Sequence, residues 1–260
     1  MKEYDKYLKL LKEKYPTKQS VYRELINLNA IMNLPKGTEH FMSDLHGEYD
    51  AFYHIINNCS GVIREKVAML YGDELTVYEQ QELCTLIYYP REKLSILMDE
   101  NKVNDEWYRN VLNQLIQIAK LLSSKYTRSK VRKAMPVDFA YIIDELIHAQ
   151  KDEDDNRSVY HRQIMETILS LHNGDEFLVA LTDLIKRLAV DHLHILGDIY
   201  DRGPHADKIL DLLMEHHSVD IQWGNHDILW MGAFCGNPVC MALVVRNNIK
   251  YKTMSILENG

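Results

Sequence analysis

Residues 191–204 read Asp-His-Leu-His-Ile-Leu-Gly-Asp-Ile-Tyr-Asp-Arg-Gly-Pro, and this stretch decides the fold. A strand-forming apolar run ending at Leu196 stops on Gly197, and Asp198, Asp201 and Arg202 follow at once. From Pro204 to His217 the spacing turns helical, with Ile209, Leu212 and Leu213 on one side and Pro204 suited to the first turn. The unit is strand, polar turn, helix. The same unit recurs on either side. Upstream, Glu39–Ser43 reads as a short strand running into Asp44-Leu45-His46-Gly47, with helical spacing from Glu48 to Asn58. Downstream, Val219–Trp223 reads as a strand ending at Gly224-Asn225-His226-Asp227. Polar residues at the carboxyl end of each strand are the layout of an α/β sheet with a site along one edge.

The segment between the first two units differs. Val62–Leu70, Val77–Tyr88, Lys93–Met98, Trp107–Leu122, Phe139–Ala149, Tyr160–Leu171 and Phe177–Leu188 all carry helical spacing. Tyr71-Gly72-Asp73, Pro90, Met135-Pro136 and Asn173-Gly174 separate them as turns. Thr76 with Glu79 forms a capping-box pattern, and the acidic run 151–156 reads as a solvated loop. The expected organisation is a discontinuous sheet-bearing core, residues 1–59 and 186–260, interrupted by a helical insertion over 60–185. Before the first strand, Tyr4 to Leu34 is helical with a break at Pro16, and Thr17 or Ser20 caps the second helix.

Composition narrows the function classes. Of 260 residues, 46% are apolar and 26% charged, which suits a globular chain with a sizeable core. The net charge of -8 argues against nucleic acid or an anionic membrane as partner. An anionic substrate must therefore be attracted locally, by bound cations or a placed Arg. Cys59, Cys84, Cys235 and Cys240 show no CxxC spacing, so reduced thiols in a cytoplasmic protein are expected. The N-terminal MKEYDKYLKLLKEKYP lacks the apolar centre of a signal peptide.

The three strand ends hold what phosphate-ester hydrolysis requires. Two metals a few ångströms apart activate a water and clamp the phosphoryl group. Asp44 and His46, two apart on an extended segment, can face the same way. Asp198 is the natural bridging carboxylate, and Asn225 offers an oxygen to a second metal. Asp201 is placed to orient the His226 ring, whose protonated form can protonate a departing alkoxide. Arg202 presents a planar fork to phosphate, with Asn225 and His226 beside it. Singly, each motif has a plainer explanation, such as a surface turn or a helix cap. Their joint occurrence, in order and each at a strand end, does not. His192 and His194 share a strand face with Asp198, but a His under a covering helix is more often packed than ligating, and both stay outside the metal set. His216-His217 closes a helix, where the dipole explains it.

The D-x-H, G-D-x-x-D-R-G and G-N-H-D series resembles the calcineurin-like metallophosphoesterases. SDLHGEYDAF (43–52), LGDIYDRGPHADKILD (196–211) and WGNHDILWMGA (223–233) resemble, more narrowly, the class III fructose-1,6-bisphosphatases of Firmicutes. The resemblance implies the first half of a metallophosphoesterase β-sandwich with a large all-helical insertion. It implies metal ligands Asp44, His46, Asp198 and Asn225, an acid pair of Asp201 and His226, and Arg202 on phosphate. It further implies two divalent ions, manganese foremost, and hydrolysis of the 1-phosphate of fructose 1,6-bisphosphate in gluconeogenesis. The superfamily supplies further histidines after the third motif, whereas none follows His226 here. The expectation is therefore an N-terminal portion of a longer enzyme, with weak metal binding and little activity alone. Two alternatives remain. A protein serine/threonine phosphatase shares the second motif, although Trp223 and Asp227 stand where such enzymes usually carry Arg and Glu. A non-catalytic scaffold would keep the sheet without the full site.

Overall fold

The computed structural model describes residues 2–149 and 155–259. Two helices, α1 (Lys2–Lys14) and α2 (Lys18–Ile31), precede the first strand, β1 (Glu39–Met42), which leads through α3 (Tyr49–Asn58) into a helical array. The array comprises α4 (Val62–Tyr71), α5 (Val77–Tyr88), α6 (Pro90–Asp99), α7 (Asp105–Ser123), α8 (Arg128–Ala134), α9 (Ala140–His148), α10 (Asp155–Ser170) and α11 (Gly174–Ala189). The chain then returns as β2 (His192–Ile195), α12 (Ala206–Glu215), β3 (Val219–Ile221), α13 (Asn225–Phe234), α14 (Pro238–Tyr251) and α15 (Met254–Asn259).

The strands form one parallel sheet in the order β1-β2-β3. Phe41 pairs with His194 and Met42 with Ile195, while His194 faces Asp220 and Ile195 faces Ile221. Parallel neighbours need a crossover, and here the helical array joins β1 to β2 while α12 joins β2 to β3. Leu193 and Ile195 turn to one face and are wholly buried with Phe52 of α3 and Ala206, Ile209 and Leu213 of α12. Met42 of β1 and Val219 and Ile221 of β3 join them on that face, as period-two alternation allows. The other face carries Phe41, His192, His194 and Asp220.

The helical array has a separate core. On α11, Phe177, Leu178, Leu181, Leu184, Ile185 and Leu188 recur at helical spacing, all buried, and pack against Leu112, Leu115, Ile118 and Leu122 of α7. Local chemistry sets the helix starts. Thr17 caps α2 with Ser20, and Thr76 caps α5 through a reciprocal pair with Glu79, 3.3 Å from the Glu79 N–H to the Thr76 hydroxyl and 2.8 Å back. α11 runs unbroken through residue 185, so its last turn, including Leu188 and Ala189, belongs to the helical core.

Several local expectations are corrected. Pro90 is the first residue of α6 and not a separator, since its fixed φ and missing N–H suit a first turn. Pro204 has no such role, because α12 begins at Ala206 and the preceding residues are spent on the tight polar loop. The third strand ends at Ile221, and Asn225 and His226 open helix α13. α8 was not anticipated; its short, basic sequence buries only Val131. Of the acidic run, residues 151–154 lie outside the described residues, and Asp155 begins α10. Among the described residues, no helix is long and apolar enough to cross a membrane.

Candidate active site

The loops that follow β1 and β2 are laced together by backbone. The Asp44 N–H donates to the Gly197 carbonyl (3.2 Å), His46 N–H to Asp198 (2.8 Å) and Gly47 N–H to Ile199 (2.8 Å), and Gly203 N–H returns to His46 (2.7 Å). Such close approach requires glycine: a Cβ on Gly47, whose φ is +68°, would sit 2.3 Å from the Gly203 carbonyl oxygen. Asp44 and His46 therefore do not alternate along an extended strand. Both take left-handed backbone, φ 56° and 46°, as do Asp198 (56°), Asp201 (65°) and Arg202 (76°). Five non-glycine residues in this region mark a loop held in a costly conformation by its surroundings.

The result is a compact ligand set. One ligand atom from each of Asp44, His46 and Asp198 lies within 4.8 Å of the others. His46 is 5% exposed, and its Nδ1 lies 3.1 Å from the Tyr200 carbonyl. That acceptor fixes the proton on Nδ1 and leaves Nε2 as a bare lone pair. Nε2 is buried, has no hydrogen-bond partner among the described residues, and lies 3.5 Å from Asp44 Oδ1. A buried nitrogen without a donor, aimed at carboxylates, fits a divalent cation.

Asp227 organises the second and third loops. Its wholly buried carboxylate accepts N–H bonds from Asp198 (2.8 Å), Ile199 (2.9 Å), Tyr200 (3.1 Å) and Gly224 (2.8 Å). Asp198 Oδ1 in turn accepts from the His226 N–H at 3.2 Å, at the start of α13. Gly224 has to be glycine, because a Cβ there would lie 2.1 Å from Asp198 Oδ1. Sequence reasoning passed over Asp227 as a functional residue. Its position three residues into a helix that starts at a strand end was the available signal.

Asp201 and His226 meet as expected: His226 Nδ1 lies 2.6 Å from Asp201 Oδ2. Asp201 is 1% exposed and receives two further donors, Trp230 Nε1 at 3.0 Å and Asn247 Nδ2 at 2.8 Å. Trp230 stacks on Tyr200, whose phenol is pushed up by burial, and the His226 ring stands edge-on to His46 at 5.4 Å between centroids. Trp230 lies one helical turn past His226 and was findable from spacing; Asn247, on α14, carried no local signal. Arg202 and Asn225 are exposed, and their side chains make no hydrogen bond or ion pair among the described residues. The structure thus gathers Asp44, His46 and Asp198, and joins Asp201 to His226. It leaves Arg202 and Asn225 on the rim. An apolar cavity of about 690 Å³ borders the site through Tyr200 and Trp230 but includes none of the carboxylate–imidazole ligand set.

His192 and His194 lie outside this set. They face away from α3 and α12, on a side of the sheet where Phe41 is 61% exposed. His216 caps the end of α12 at its half-buried edge, where burial, and then the neighbouring His217, push its imidazole down to about 4.

A family profile described as Firmicute fructose-1,6-bisphosphatase matches residues 6–260. The chain is 54% identical to a class 3 fructose-1,6-bisphosphatase of Clostridium beijerinckii, with 100% of this chain and 41% of that protein covered. It is also 54% identical to the class 3 fructose-1,6-bisphosphatase of Listeria monocytogenes serotype 4b (98% and 39%) and 53% identical to that of Clostridium acetobutylicum (98% and 38%). The chain thus spans about two fifths of the length of the curated relatives it matches. No solved structure matches it. Matched along nearly its whole length, through all three strand-end loops, the chain belongs to the Firmicute fructose-1,6-bisphosphatase family.

Proposed function

We propose that these residues are the metal-binding half of a phosphatase that hydrolyses the 1-phosphate of fructose 1,6-bisphosphate to fructose 6-phosphate, a gluconeogenic reaction of the cytoplasm. The observation that carries this reading is the orphaned His46 Nε2 among the carboxylates of Asp44 and Asp198. Asp44, His46 and Asp198 would hold one divalent ion, and Asp198 with Asn225 would serve a second, manganese being the ion we favour. When bound, such ions supply an activated water and neutralise phosphoryl charge. The chain's own residues do the rest. Asp201 keeps the His226 proton on Nδ1 and orients the ring, so that Nε2 can deliver a proton to the leaving alkoxide. Arg202 at the rim, with Asn225 and His226, meets the phosphate oxygens as substrate enters. Trp230 and Asn247 hold the Asp201 carboxylate so that the pair is set before substrate arrives.

On the same reading, residues 1–59 and 186–260 are the first part of a metallophosphoesterase sandwich and 60–185 is an inserted helical unit. The separate cores of the sheet and the helical array support a two-part division, with Cys59 and Leu188 to Val190 packed on the helical side of those bounds. Further ligands are needed beyond His226, so the 260 residues alone should turn over little. The test joins this chain to the remaining segment of a full-length relative and adds manganese. Phosphate release is then compared for fructose 1,6-bisphosphate and a phosphopeptide. Preference for the sugar bisphosphate is expected. Equal or peptide-favouring turnover would point to a protein phosphatase, and no turnover on either to a scaffold.

A further inference from the structure

The face of the sheet opposite α3 and α12 carries a second cluster of ligand-type side chains. β2 presents His192 and His194 two residues apart, on one side of the pleat, and β3 places Asp220 directly across from His194. His192 Nε2 lies 3.1 Å from Asp220 Oδ2, and His194 Nδ1 lies 2.7 Å from Asp220 Oδ1. One ligand atom from each of the three falls within 4.8 Å of the others. Two imidazoles and one carboxylate, converging from adjacent strands, are the donor set of a borderline divalent cation. Zinc at tetrahedral bond lengths keeps neighbouring ligand atoms about 3.3 Å apart. The nitrogen–oxygen separations here need to open by only a fraction of an ångström to reach that.

Part of the surroundings already orients these rings. A ligating imidazole normally gives its other N–H to an oxygen, which fixes tautomer and ring plane. His192 Nδ1 lies 2.5 Å from the Ser218 hydroxyl. His194 Nε2 is buried, lacks a hydrogen-bond partner among the described residues, and has Glu39 Oε2 at 3.9 Å. Phe41 lies flat on His194, with centroids 4.4 Å apart and planes 12° from parallel, and holds that ring in place. The Asp220 side chain remains 60% exposed, which leaves one side open for a water or another fourth ligand.

We propose that His192, His194 and Asp220 form a divalent-cation site of zinc type on the sheet face opposite α3 and α12, distinct from the Asp44–His46–Asp198 set. None of its three ligands belongs to the strand-end loops, and it does not depend on the phosphatase reading. Bound metal would replace the two Asp220 hydrogen bonds with coordinate bonds and pin β2 to β3.

The experiment uses the untagged 260-residue chain carrying Asp44→Asn and Asp198→Asn, so that the loop ligands are silenced. Zinc is titrated calorimetrically, and elemental analysis follows dialysis. Cobalt replaces zinc in a parallel sample, whose visible absorption reports tetrahedral coordination. One zinc per chain is expected. His192→Gln and Asp220→Asn should each weaken binding at least tenfold and abolish the cobalt bands. Absence of bound zinc in a folded double variant, or unchanged affinity in Asp220→Asn, would overturn the proposal. If the double variant fails to fold, Asp220→Asn alone decides the matter, since that exposed substitution should lower the unmodified chain's zinc content by one. An unchanged content would again overturn the proposal.

Discussion

His226 Nδ1 meets Asp201 Oδ2 at 2.6 Å, and the carboxylate that receives it is 1% exposed. Three donors, from His226, Trp230 and Asn247, surround one buried carboxylate. A buried carboxylate so fully paired holds the imidazole in one orientation.

Asp201→Asn should keep the shape of this contact and remove its charge. In the assembled enzyme kcat should fall by about 100-fold or more, with metal content unchanged. Asn247→Leu removes one of three donors and should lower kcat less. Steady-state kinetics beside elemental analysis checks both, and metal loss in Asp201→Asn would count against a proton role.

Asp227→Ala would strand four backbone N–H groups that now share one carboxylate. Buried donors left unsatisfied are costly, and the loss should be about 3 kcal/mol or more. The urea midpoint of the 260-residue chain should drop accordingly. A change of under 1 kcal/mol would show that the loop relaxes to water.

Gly224→Ala should act on the metal rather than on stability alone, because the new methyl would collide with Asp198 Oδ1. Manganese affinity should weaken by about tenfold or more, as supporting changes around ligands do. Calorimetric titration of the parent and the variant gives the comparison.

Much of this was legible in the chain. An apolar run halted by Gly197-Asp198 or Gly224-Asn225 announces a strand end, and amphipathic spacing such as Phe177 to Leu188 announces a buried helix. Side-chain direction within the loops was not legible. Alternation along an extended segment brings Asp44 and His46 to one side on paper, whereas left-handed backbone does so in the structure, enforced by partners 154 residues away in sequence such as Tyr200 for His46. Asn247 reaches Asp201 only because α14 folds back against α13, and no local pattern encodes that return. What lies over the face bearing His192 and His194 was not legible for the same reason: alternation shows which residues share a face, not what covers it.

The stability of the chain should fall on acidification partly through His216. Its imidazole ionises at about 4 in the folded chain against 6.5 as its ordinary value, because burial and the neighbouring His217 disfavour the cation. The unfolded chain binds the proton first, so this contribution is intact above about pH 6.5 and is lost as pH falls toward 4. Urea midpoints at pH 7, 5.5 and 4.5 should decline more steeply for the parent than for His216→Gln. Parallel declines would remove His216 from the explanation.

The central claim separates ligands from proton groups, and one measurement tests it most directly. Manganese content and phosphate release from fructose 1,6-bisphosphate are determined together for His46→Gln and His226→Ala in the assembled enzyme. His46→Gln should lose metal and activity together, whereas His226→Ala should keep its metal and turn over slowly. Full manganese in His46→Gln, or loss of both ions in His226→Ala, would contradict the account.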